Sequence, residues 1–263
     1  MAALNTEVVI YEKKDKIAYI KLNRPDKMNA INKKVAEAIR EIWTDFRDDD
    51  NIYVAIFSGA GKSFCAGADV KDLGEVEKGR YKMSQSITLG DRPIGPNALS
   101  IKKPIIGALK GNILGAGLWL ALECDIRIAT EDAVFGLPEP KIGIPTVFAG
   151  FLARYMPQAV ANELLLAGTN INAKRAYEIG LINKVVSRER LMQEAESIAN
   201  TLCNNAPLAV RTMKQLIRQC WDMDFGSARA FTESVVVPVN NSEDAEEGKK
   251  AYLEKRKPIW RGR

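Results

Sequence analysis

Residues 104–129, PIIGALKGNILGAGLWLALECDIRIA, carry the reading of the fold. Pro104–Ala108 is rich in residues that favour strands. Gly111 to Gly117 reads as a glycine-rich turn. A helix then runs to about Glu123, and Asp125–Ala129 reads as a second strand. Strand, turn, helix and strand in immediate succession mark a mixed α/β fold.

The chain upstream fits the same class. Val8–Tyr11 and Ile17–Leu22 are strand-like runs separated by the polar turn Lys14-Asp15-Lys16, which predicts a hairpin. Val35, Ile39, Ile42 and Phe46 recur at helical spacing after the loop Asn23–Lys27, and Tyr53–Phe57 reads as a buried strand. Residues 74–100 show no period and hold several glycines and prolines, the signature of a functional or disordered loop. From Ala159 the pattern is mainly helical. Asn172-Ala173-Lys174 opens one helix. Pro207 opens another at a first-turn position, with Leu208, Leu216, Ile217 and Cys220 on its apolar side. These patterns predict a core over 1–195 and a helical region over 196–263.

The 263 residues include no histidine. Histidine-based triads, histidine-ligated zinc and imidazole acid–base chemistry are therefore excluded. The four cysteines, Cys65, Cys124, Cys203 and Cys220, form no CxxC pair and read as free thiols. Residues 1–16 are mixed and charged, and the apolar run Ile113 to Leu122 is too short to span a bilayer. The expectation is a cytoplasmic protein that binds neither membrane nor nucleic acid. The net charge of +5 is concentrated in the tail, at Lys249, Lys250, Lys255, Arg256, Lys257, Arg261 and Arg263. A solvated basic face and a polyphosphate site are both compatible with it.

Two turns could carry chemistry. Ser63–Val70 follows the strand Tyr53–Phe57, and Gly111–Gly117 follows Pro104–Ala108. Small residues allow close approach to backbone. If each turn directs one N–H at the same point, the pair is an oxyanion hole, where one donor is worth about 3–4 kcal/mol of barrier. Two ordinary tight turns are the alternative. Neither turn matches a dinucleotide or nucleotide-triphosphate loop. Glu139, between Pro138 and Pro140, sits on rigid backbone. In an apolar loop its pKa would rise toward the range useful for acid–base work.

At these residues the sequence resembles the crotonase, or enoyl-CoA hydratase/isomerase, superfamily over nearly its whole length. The matching motifs run in order: Leu22-Asn23-Arg24-Pro25 with Asn29-Ala30, Phe64–Asp69, Gly115-Ala116-Gly117, Cys124-Asp125, Phe135-Gly136 with Pro138-Glu139, Gly143-Ile144, Ala176 with Gly180-Leu181, and Glu254-Lys255-Arg256. The resemblance implies an α/β fold, a crotonase-like stacked ββα spiral with a C-terminal helical trimerisation subdomain. It implies a homotrimer or homohexamer acting on an acyl-CoA thioester. Coenzyme A then enters as part of the substrate, with no bound cofactor and no metal. The backbone N–H groups of Ala68 and Ala116 would hold the thioester oxyanion. Arg24, Lys27, Ala66 and Lys71 would bind CoA, with Tyr252 and Lys255 reaching a neighbouring subunit's CoA.

Typical hydratases of the family use two glutamates. One corresponds to Glu139. The position of the other is Trp119, which cannot transfer a proton. The segment after the Pro-Glu motif, Pro145–Gly150, also departs from the family's glycine-rich pattern. The expected activity is reversible hydration of an enoyl-CoA by a single glutamate, with Trp119 shaping the acyl pocket. Double-bond isomerisation, thioester hydrolysis and a non-catalytic CoA- or RNA-binding role are the alternatives. Asp91 and Tyr81 are candidate substitute acids. Asp69 is read as a helix cap, and Glu123 and Asp125 as structural.

Overall fold

The computed structural model describes residues 6–69, 94–146 and 148–263. The chain opens with the hairpin β1 (Val9–Lys14) and β2 (Ile17–Leu22), paired antiparallel from Val9 opposite Leu22 to Lys14 opposite Ile17. Asp15 turns the corner at φ 53°, a left-handed conformation that Asp tolerates better than most residues. Helix α1 (Lys33–Asp48) follows, with the Asn32 side chain accepting the Val35 N–H at its start. Its apolar stripe, Val35, Ile39, Ile42, Trp43 and Phe46, is buried.

Strands β3 (Val54–Gly59) and β4 (Ile105–Leu109) come next, then the short β5 (Asn112–Leu114) and helix α2 (Ala116–Leu122). The glycine-rich stretch expected to be only a turn thus contains a strand. The period is illegible because β5 has three residues and Gly111 precedes it at φ +55°. Then come β6 (Ile126–Thr130), β7 (Val134–Gly136), α3 (Gln158–Ala167), β8 (Asn170–Asn172), α4 (Ala173–Glu178) and β9 (Lys184–Val186).

Two sheets result. The larger has the order β1-β2-β3-β4-β6-β9 and is parallel beyond the hairpin. The smaller has the order β5-β7-β8. Helix α1 packs on one face of the large sheet within the main core. Helix α5 (Leu191–Cys203) covers the other, where Ile17, Val54, Ile56, Ile106 and Ile128 meet Ala195 and Ala199. A boundary at 195/196 falls inside α5, so on packing the helical region starts after Cys203.

That region holds α6 (Pro207–Gln219), α7 (Phe225–Asn240) and α8 (Glu243–Leu253). Of the expected apolar side of α6, Leu208, Leu216 and Cys220 are half-buried, and only Ile217 departs from the expectation. Lys214 is buried, whereas Met213 and Ile217 are 65% and 74% exposed. The cause is electrostatic: Lys214 and Arg218 face inward to pair with Asp125 at 2.7 Å each. Helix α7 buries no residue at all. The four cysteines are free, with Cys65 and Cys124 buried.

Candidate active site

Two chain segments meet beneath α2. Residues 65–69 form an extended strip, tied on one side to β5 and on the other to Ile31. Cys65 N–H donates to Asn112 O at 3.1 Å and Leu114 N–H to Cys65 O at 3.0 Å. Ile31 N–H donates to Gly67 O at 2.8 Å and Asp69 N–H to Ile31 O at 2.9 Å. The glycines are there because backbone approaches backbone. A Cβ on Gly67 (φ +103°) would stand 3.0 Å from Leu114 O and 3.6 Å from Ala116 N. A Cβ on Gly117 would stand 2.3 Å from Cys65 O. Among the described residues, neither the Ala68 nor the Ala116 N–H has an acceptor. Ala116 opens α2, so the helix adds the positive end of its dipole at that point.

Glu139 enters from a third segment. The pairing of β7 with β5, and the Gly115 N–H donated to Gly136 O at 3.0 Å, bring the chain after β7 alongside α2. Glu139 then begins a 3-10 turn, Glu139–Ile142, closed by Gly143 in a left-handed conformation. Its Oε1 lies 2.6 Å from where a Cβ on Gly115 would be, so a side chain at that position, itself strained at φ +53°, would displace the carboxylate. Its Oε2 is buried without a hydrogen-bond partner. Burial raises the Glu139 pKa, and its own backbone N–H only partly offsets that. A carboxyl poised beside a free N–H at a helix start can exchange protons with a bound thioester whose carbonyl that N–H polarises.

Trp119, on α2 one turn after Gly115, is 8% exposed. It stacks on Phe148 with centroids 5.1 Å apart and meets Phe151 and Tyr155 at 6.3 Å each. These rings make an aromatic wall where a second acid was expected from the resemblance.

Of the other predicted residues, Arg24, Lys27 and Ala66 lie near the strip, with Ala66 N–H donating to Met28 O at 2.9 Å, whereas Tyr252 and Lys255 lie in the C-terminal region. Arg24 does not extend its guanidinium to solvent: it donates to Asp69 Oδ2 at 3.0 Å and to Ala30 O. Asp69 therefore holds Arg24 rather than serving only as a cap. Ala66 lies on the strip, half-buried, and Lys27 is exposed in the 3-10 turn Pro25–Lys27. Lys71, Tyr81 and Asp91 lie outside the described residues. Tyr252 is 84% exposed at the end of α8, and Lys255 follows it, exposed, at φ 54°. The tail is less basic than its composition. Arg256 pairs with Glu247 and Glu254, and Arg261 and Arg263 pair with Glu243.

Two residues noted only as parts of motifs turn out to hold the site together. Asn29, 1% exposed and at φ 57°, accepts the Arg24 N–H at 2.9 Å. It donates to Ala60 O at 2.9 Å and Ser63 O at 2.8 Å. The Cys65 thiol donates to Asn29 O at 3.2 Å and accepts the Gly67 N–H at 3.4 Å. Burial pushes that thiol up to about 12, which keeps it protonated. An Asn preceding a small-residue strip signals such a clamp, since Asn both tolerates positive φ and offers three hydrogen bonds.

Both the sequence and the fold are similar to those of known proteins. The family model for enoyl-CoA hydratase/isomerase matches residues 12–263. A short-chain enoyl-CoA hydratase of Clostridium acetobutylicum is 36% identical, the match covering 95% of each chain. A carnitinyl-CoA dehydratase of Salmonella typhi is 37% identical, over 94% of this chain and 95% of that protein. The crystal structure of an enoyl-CoA hydratase from Mycobacterium tuberculosis superposes with a TM-score of 0.90 at 34% identity, covering 98% of this chain and all of the other.

Proposed function

The chain belongs to the enoyl-CoA hydratase/isomerase family, and from that premise we propose that it reversibly hydrates a 2-enoyl-CoA using Glu139 as its single proton-transfer group. The observation that carries this reading is the placement of the Glu139 carboxyl, with Oε2 unpartnered, against Gly115, next in the chain to Ala116, whose N–H has no acceptor among the described residues.

The thioester oxygen accepts from Ala68 N–H and Ala116 N–H. Water adds through its oxygen to C3 while the C2–C3 π pair moves to the thioester oxygen, forming an enolate that both donors stabilise. The ionised Glu139 takes the proton released by water. Collapse of the enolate draws that proton back to C2, so one water is added and the carboxylate is regenerated. A raised pKa suits a group that must accept and then return a proton.

Trp119 favours a second reading, double-bond isomerisation, because one carboxyl suffices to carry a proton between two carbons of the same acyl group. Lys27, Ala66 and Lys71 would receive the CoA moiety, with Arg24 shaping the strip through Asp69. The unburied α7, together with Met213, Ile217, Trp221 (68% exposed) and Phe225 (87% exposed), supports assembly as a trimer, singly or in pairs. Tyr252 and Lys255 would then serve a neighbouring subunit's CoA. Among the described residues no helix is long and apolar enough to cross a membrane.

The test is mass spectrometry in water enriched in heavy oxygen, over linear 2-enoyl-, 3-enoyl-, cyclic and aryl-substituted acyl-CoAs. Heavy oxygen in a product that keeps its CoA supports hydration. A moved double bond without oxygen uptake supports isomerisation. Oxygen only in a released acid refutes both.

A further inference from the structure

Glu123 has a role that its position at the end of α2 does not explain. Its carboxylate is almost wholly buried, at 3% exposure for the residue. The segment Ile94–Asn97 closes directly over it. A Cβ on Gly95 would stand 2.1 Å from Oε2, and the Asn97 N–H donates to Oε2 at 2.9 Å. One turn back on the same helix, the Trp119 indole N–H lies close enough to favour the charged carboxylate. Burying a carboxylate is costly, and here it serves as the acceptor for the Asn97 N–H. This carboxylate lies one turn of α2 from Trp119, whose ring meets the same Tyr155 that faces the acid, and it is hydrogen-bonded to the segment that packs over the end of α2.

We propose that Glu123 is a positioning residue that sets acyl selectivity, by holding the Trp119 wall and the Gly95–Asn97 segment in one arrangement. The proposal rests on the reading that Trp119 lines the acyl pocket.

The surroundings make the hold dependent on pH. Burial pushes the Glu123 carboxyl up to about 7, so it changes charge near neutrality. Facing it are Arg218 and Lys214 from α6, and Tyr155 from beyond the 3-10 turn Ala149–Arg154. Asp125 and Cys124 follow it on its own chain. Arg218 also donates to Glu123 O at 2.9 Å, and its pairing with Asp125 leaves the Glu123 carboxylate only partly compensated. Above the transition the charged carboxylate accepts from Asn97 and attracts the indole N–H. Below it the acid is neutral and both are held more weakly.

The experiment uses the whole protein and Glu123→Gln, with a series of 2-enoyl-CoA chain lengths at pH 5.5–8.5. The expected result is a rise of about tenfold in KM for the longer acyl chains of the series, with kcat on the shortest changing less than that. The near-neutral inflection of KM should vanish in the variant. In parallel, the emission of Trp119, isolated as the difference between the unaltered protein and Trp119→Phe, should titrate near pH 7. Glu123→Gln should abolish that titration. A folded E123Q with an unchanged chain-length profile and unchanged inflection overturns the proposal. If E123Q does not fold, absence of a near-neutral Trp119 transition in the unaltered protein overturns it. If no acyl-CoA is turned over, the hydratase reading fails, while the emission titration still decides whether Glu123 controls Trp119.

Discussion

Replacing Gly117 with alanine would separate the two halves of the oxyanion site without touching either donor. The added Cβ would lie 2.3 Å from Cys65 O, 2.8 Å from Cys65 Cβ and 2.9 Å from Cys65 C. Ordinary contact begins near 3.4 Å. The obstacle is backbone, so no rotamer change relieves it, and α2 must withdraw by about 1 Å from the strip that carries Ala68. Ala116 N–H moves with the helix. Misplacement of that size typically costs about 100-fold in rate, or ~2.7 kcal/mol at 1.36 kcal/mol per factor of ten. The overpacking itself should cost about 1–3 kcal/mol of stability, a fall of several degrees in Tm for a chain of this size. The assay is steady-state hydration of a short 2-enoyl-CoA, followed by loss of conjugated-thioester absorbance. Calorimetric binding of a saturated acyl-CoA serves as the control. We expect kcat to fall about 100-fold while the saturated ligand binds nearly as before. Gly150→Ala, whose Cβ meets nothing within 4 Å, should leave both unchanged. A folded G117A with kcat within threefold of the parent would refute the view that packing of α2 on Cys65 registers the donors.

Glu139→Gln should lower kcat by about 10³-fold, within the range for loss of an acid–base group, with acyl-CoA affinity retained, as measured by single-turnover kinetics and calorimetry. In the parent, the acid limb of kcat/KM should lie above the ordinary carboxylate range, because burial raises the Glu139 pKa and the ionised form must accept the proton from water. Asn29→Ala, which strips partners from Arg24 N–H, Ala60 O and Ser63 O, should destabilise the protein by about 2–4 kcal/mol, read as the shift in urea midpoint. Glu123 predicts a pH dependence of stability. Its pKa rises from 4.5 to about 7 on folding, so the unfolded chain releases its proton first. Stability contributed by the neutral acid is full below pH 4.5 and lost progressively up to pH 7, by at most about 3 kcal/mol. Urea midpoints at pH 5 and pH 8 should therefore diverge less in Glu123→Gln than in the parent.

The long elements were legible because each carries a full period. The hairpin bounds at Ile17–Leu22 and the stripe of α1 follow directly from alternation and helical spacing. Strands β5, β7, β8 and β9 have three residues each, less than two alternations, and exist only because neighbours pair with them. Helix α6 misled in a different way. Leu208, Leu216 and Cys220 are half-buried as their spacing suggests, but the same helix also turns Lys214 and Arg218 toward Asp125 and leaves Ile217 exposed. Within the site, glycine spacing pointed to the two turns. Nothing local indicated that Arg24 would spend its guanidinium on Asp69, or that Glu123, one turn after Trp119, would be buried under the Gly95–Asn97 segment. Those are tertiary pairings between residues whose types suit surface and core equally well.

The meeting of the 65–69 strip with the start of α2 has a consequence for how the protein acquires activity. Its two N–H donors belong to segments separated in the chain by two strands, β4 and β5, and by residues 70–93. One donor opens α2 and the other lies on an extended strip outside the named strands. No local folding event can create the oxyanion hole, because it is assembled only when α2 docks and Gly117 closes on Cys65. During refolding, secondary structure and burial of Trp43 in α1 should therefore recover before turnover does. The delay between them would time the docking of one helix.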